Sequence, residues 1–68
     1  MNKQAKKRVF NCYKNFIKEY GYPPSYEQVN ALTGLSIAYI SMLVCELVDE
    51  GYFERPRDRV IIIKKEFE

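Results

Sequence analysis

Sixty-eight residues with 47% hydrophobic and 15% aromatic content make one domain, 1–68, rich enough to fold and too short for a second core. The net charge of +2, from 11 basic and 9 acidic residues, is too small to name a partner by itself. No His is present and Cys12 and Cys45 are the only soft ligands, so one chain cannot build a four-ligand zinc site, and the two thiols are expected to stay reduced.

The first segment, about 3–20, carries Val9, Phe10, Tyr13, Phe16, Ile17 and Tyr20 as one apolar stripe of helical period. Lys3, Lys6, Lys7, Arg8, Lys14 and Lys18 are expected to cover the remaining, solvated face. Gly21 supplies the left-handed stop, and Pro23-Pro24 keeps the chain extended. Ser25-Tyr26-Glu27-Gln28 then has the capping-box pattern and opens a second helix, about 26–33, with Val29 and Leu32 as its apolar face. Gly34 ends it after about two turns, too few to be stable without packing.

Ser36 is the expected N-cap of a third helix, about 37–50. Ile40, Leu43, Val44, Leu47 and Val48 form its buried stripe. Ala38, Tyr39, Ser41, Met42, Cys45, Glu46 and Asp49 point outward, and Gly51 is the stop. The final segment, about 52–64, changes period. Tyr52-Phe53-Glu54-Arg55 and the run from Arg59 to Lys64 read as two strands of a hairpin, with Pro56-Arg57-Asp58 as turn material. The tail, 65–68, is expected to fray, with Phe67 available to pack.

This order predicts a mainly α fold with a small β-hairpin, a three-helix winged helix-turn-helix. In that motif the second helix of the pair enters the major groove with its N-terminal residues on base edges. The residues carry a resemblance as well. Gly21-Tyr22-Pro23-Pro24-Ser25-Tyr26-Glu27-Gln28-Val29 resembles the Gly-x-Pro-Pro-Thr-x-x-Glu-Ile stretch of the DNA-binding domain of LexA repressors. Leu47-Val48-Asp49-Glu50-Gly51-Tyr52-Phe53-Glu54 is similar to that family's passage from recognition helix to wing, and the Val9 to Ile17 stripe fits its first helix. That family's self-cleavage and dimerisation domain is not expected within these residues, so that activity is not implied. Alignment back from Gly51 sets the family's base-contacting positions on Ser36, Ala38, Tyr39, Ser41 and Met42, of which only Ser36 keeps the family's residue type. The operator sequence therefore does not transfer.

Charge is unevenly spread. Residues 1–20 have a net charge of +5, residues 25–50 have −4, and residues 51–68 have +1. The expected DNA-reading pair is thus acidic between basic flanks, which weakens the phosphate attraction that dominates affinity. Ser, Tyr and apolar side chains can still read base edges and thymine methyls. Arg55, Arg57 and Arg59 on the expected wing can reach the backbone or a narrow minor groove.

The leading expectation is a small DNA-binding transcription regulator, a repressor-like protein of bacterial or phage origin, with double-stranded DNA as partner. The rival is a winged-helix protein-interaction module, an inhibitor or adaptor that uses the acidic, Tyr/Met-bearing third helix. No enzyme is expected, because there is no His, no phosphate-cradling Gly loop and no nucleophile-base constellation. No cofactor is expected either. A weak homodimer, or dimerisation on DNA, is expected through the exposed part of the first helix, the strand near Ile61 and Ile63, or Phe67. The longest apolar run, Val60-Ile61-Ile62-Ile63, is far short of the roughly 20 residues that span a bilayer, and no apolar segment follows the basic N-terminus. A cytoplasmic location without membrane contact is expected.

Overall fold

The computed structural model describes residues 3–57 and 60–67. Helix α1 (Lys3–Tyr20) is followed by α2 (Tyr26–Thr33), α3 (Ile37–Asp49) and two strands, β1 (Phe53–Arg57) and β2 (Val60–Ile63). The fold is mainly α with a small antiparallel β-hairpin. Each boundary falls within a residue or two of its local signal. Ser25 accepts a hydrogen bond from the Gln28 amide, and the Gln28 side chain accepts from the Ser25 amide, completing the capping box. Ser36 likewise accepts from the Tyr39 amide. Gly34 adopts φ 78°, the left-handed conformation that a side chain would strain, and turns the chain from α2 into α3.

The core is one cluster. Val9, Phe10 and Tyr13 of α1, Val29 of α2, Ile40, Leu43, Val44 and Leu47 of α3, and Phe53 of β1 are all at most 2% exposed. Fully burying side chains of this size contributes about 1.5–3 kcal/mol each before ordering costs. Phe10 is its aromatic centre, with ring centroids 5.6 Å from Phe53, 5.7 Å from Phe67 and 6.1 Å from Tyr52. Phe67 thus packs, as it was free to do.

Four expectations need correction. The α1 stripe is buried only as far as Tyr13. Phe16 and Ile17 are half-buried and Tyr20 is exposed, where the last turns of α1 reach beyond the core cluster. Leu32 does not join Val29 in the core; it is 64% exposed. Pro56 and Arg57 belong to β1 rather than to the turn. Glu54 pairs with Ile62 and Arg57 with Val60, so three steps on β1 meet two on β2. That extra residue is a bulge-like irregularity at Arg55-Pro56, where proline has no N–H to give the ladder. Finally, Ile61 is buried and Ile63 and Phe67 pack against the core, so these are not free faces for a second copy. The outward residue of β2 is Ile62, 44% exposed.

Candidate nucleic-acid interface

The connection between α2 and α3 is three residues, Gly34-Leu35-Ser36, and the chain bends by 106° across it. Thr33 Oγ1 donates to the Val29 carbonyl and accepts from the Leu35 amide at 3.2 Å. The Asn30 side-chain amide donates to the Leu35 carbonyl at 2.6 Å. Side chains of α2 therefore satisfy the backbone of the turn and fix the angle of α3.

Ile40, Leu43, Val44 and Leu47 of the inner stripe are fully buried and Val48 is half-buried against the core, which forces a second stripe outward at i, i+1, i+4, i+5 and i+8: Ile37, Ala38, Ser41, Met42 and Cys45. Ile37 is 44% and Met42 45% exposed, Ala38 and Cys45 are exposed, and Ser41 is half-buried. Ser36 is exposed at the N-terminal end, its oxygen engaged in the cap. Tyr39 lies outside this stripe, half-buried against the core. Ile37 was not among the expected contacts, although its spacing of one, four and five residues to Ala38, Ser41 and Met42 was visible in the sequence.

The acids Glu46, Asp49 and Glu50 gather at the other end of α3, where one lysine pairs with two of them and offsets one of their three charges. Lys6 of α1 is 7% exposed, not solvated as expected. Its ammonium lies 2.9 Å from Glu50 Oε2 and 3.1 Å from Glu46 Oε1. Glu46 Oε1 is sealed from solvent and receives no well-directed hydrogen bond, so its charge rests on the Lys6 ion pair. The Glu50 hydrogen bond, and to a lesser degree Glu46, hold the Lys6 pKa above its ordinary 10.5 against the opposing effect of burial. Lys6 stands three, four and seven residues before Val9, Phe10 and Tyr13, inside the buried stripe's own period, and that spacing was the signal for it. Glu46 is correspondingly half-buried rather than outward.

The hairpin arginines separate. Arg55 follows Phe53 by two residues and so points to the same inner side. One guanidinium nitrogen donates to the Tyr26 hydroxyl at 3.3 Å and another to Cys45 Sγ at 3.5 Å. Arg55 thereby ties β1 to the first turn of α2 and to the outer stripe of α3. Arg57, beyond the irregularity, is exposed. Arg59 lies outside the described residues. On α1, Lys3, Lys7, Arg8 and Lys18 are exposed, while Lys14 pairs with Glu66. Among the described residues no cluster of His, Cys, Asp and Glu could hold a metal, and no helix is long and apolar enough to cross a membrane.

The structure thus brings Ser36, Ala38, Ser41 and Met42 onto one uncharged surface, sets Arg55 at its edge through Cys45, and leaves Arg57 apart on the hairpin. No protein-family model and no curated protein matches this chain.

Proposed function

We propose that this chain is a small cytoplasmic DNA-binding transcription regulator of the winged helix-turn-helix type, with α3 as its major-groove helix and the hairpin as its wing. The observation that carries this reading is the 106° bend across a three-residue, glycine-containing turn, within the range of helix-turn-helix pairs. It leaves an outer, uncharged side on the first half of the second helix. Ala38, Ile37 and Met42 suit apolar contact with thymine methyls, and the Ser36 and Ser41 hydroxyls suit base edges. The charge objection weakens in part, because Lys6 offsets one of the three carboxylate charges at the far end of α3. Lysines of α1 and Arg57 remain for backbone phosphates. The LexA-like stretch at 21–29 supports the same assignment.

A protein-interaction module is the second reading, and the apolar character of Ile37, Ala38, Met42 and Cys45 favours it, since Met is enriched in interface cores. Fluorescence anisotropy of labelled duplexes across a salt series decides between them. A DNA-binding protein shows affinity that falls steeply and linearly in logarithmic salt. No binding to any duplex at low salt would leave the protein module.

A further inference from the structure

We propose that the groove between α1 and α2 is where two copies of this chain pair, about a two-fold axis that sets Arg8 of each copy against Glu19 of the other. The groove runs along Arg8, Asn11, Asn15 and Glu19 of α1, with Ala31 and Leu32 of α2 as its second wall. Leu32 is the most exposed large apolar side chain among the described residues, at 64%. Tyr20, 55% exposed, stands at the Glu19 end. Exposure of this kind marks an interaction site when it is contiguous and rimmed by polar groups.

Charge identifies the occupant. Arg8 and Glu19 are eleven residues apart, about 16 Å along a helix at 1.5 Å per residue. Among the described residues they are the only charged ones lining the groove, one of each sign at opposite ends. An antiparallel second copy, with its axis midway between Cys12 and Asn15, sets each end against its opposite. Asn11 then meets Phe16 and Cys12 meets Asn15 across the axis. A self-complementary patch is what an isologous dimer requires, since every contact occurs twice. Both charges are available. Among the described residues Glu19 makes no ion pair, and Arg8 uses one nitrogen on the Thr33 carbonyl, leaving further donors. The groove does not include the outer stripe of α3, so pairing leaves that stripe open and stands whatever α3 binds.

Sedimentation equilibrium of the full chain, up to millimolar concentration, tests this with charge reversals. The native chain is expected to associate reversibly into dimers. Arg8→Glu and Glu19→Arg should each weaken self-association on the order of tenfold, because each sets two like-charge pairs at the interface. An equal mixture of the two variants should associate more tightly than either alone, since every pair is then of opposite sign. Leu32→Asp, at a position whose exposure spares the fold, should weaken the dimer without any charge reversal at Arg8 or Glu19. A native chain that stays monomeric at millimolar concentration overturns the proposal. So does a mixture that associates no better than its components, or a Leu32→Asp variant that dimerises as well as the native chain.

Discussion

Met42 and Leu43 are neighbours on one helix and nearly equal in size, yet one is 45% exposed and the other fully buried. The same contrast runs the length of α3, between the inner stripe of Ile40, Leu43, Val44 and Leu47 and the outer stripe of Ile37, Ala38, Ser41, Met42 and Cys45. Both stripes are apolar or uncharged, so hydrophobicity alone does not distinguish core from surface on this helix. Position relative to α1 and β1 does. The inner stripe holds the domain together; the outer one stays largely open, touched by Arg55 at Cys45.

The sharpest way to break that contrast is to truncate both neighbours. Leu43→Ala should lose about 2–5 kcal/mol in urea unfolding, since the well-packed site cannot fully collapse around the deletion. Met42→Ala should change stability by less than about 0.5 kcal/mol while weakening the binding of duplex DNA. Equal stability losses for the two variants would show that the outer stripe also serves the fold.

A second contrast is between Lys6 and Lys7. Lys6→Met leaves the sealed oxygen of Glu46 without its cation and should cost about 1–3 kcal/mol, whereas Lys7→Met at an exposed position should be near neutral. The pH dependence has a definite sign. Lys6 binds its proton more tightly in the folded chain than at its ordinary 10.5, so its contribution is fully present below that pH. It is lost as the pH rises through the higher folded value. The stability gap between the native chain and Lys6→Met should therefore be flat from neutral pH to about pH 10 and narrow above it. A gap that widens at alkaline pH would contradict the ion-pair assignment.

The hairpin arginines sharpen the comparison further. Arg57→Ala should weaken DNA binding a few-fold on every sequence and reduce the salt slope by about 0.9, the signature of one lost phosphate contact. Arg55→Ala should also lower stability, because it releases Tyr26 and Cys45 together. The smallest effect is at the thiols. Cys45 is exposed, while Cys12 is half-buried with a pKa pushed above its ordinary 9.0 by burial, so a thiol reagent at neutral pH should modify Cys45 first.

Much of the fold was legible because its signals are local. The capping box at Ser25, the N-cap at Ser36 and the glycines at 21, 34 and 51 each act over four or five residues, and each fixed a helix end. The inner stripe of α3 followed from period alone. What escaped were features set by which neighbour covers which face. Leu32 and Tyr20 continue their helical stripes correctly, yet they stay 64% and 55% exposed. Lys6 lies within a buried period, yet its charge outweighed its spacing in a reading from residue type; its partners stand forty and forty-four residues away. The two-residue alternation from Phe53 placed Arg55 inward, although grouping the arginines by charge had set it beside Arg57 on the surface. Of the candidate interface, Ser36, Ala38, Ser41 and Met42 could be found by period, while the coupling of Arg55 to Cys45 depends on how β1 crosses α3.

The most direct test of α3 as the nucleic-acid-facing element is a titration of the isotopically labelled chain with a short duplex at low salt, followed by amide chemical shifts in two-dimensional NMR. If the outer stripe reads DNA, shifts should concentrate at residues 36–45 and around Arg57, and spare Asn15, Glu19 and Leu32. Shifts confined to the α1–α2 groove, with 36–45 unmoved at saturation, would contradict it.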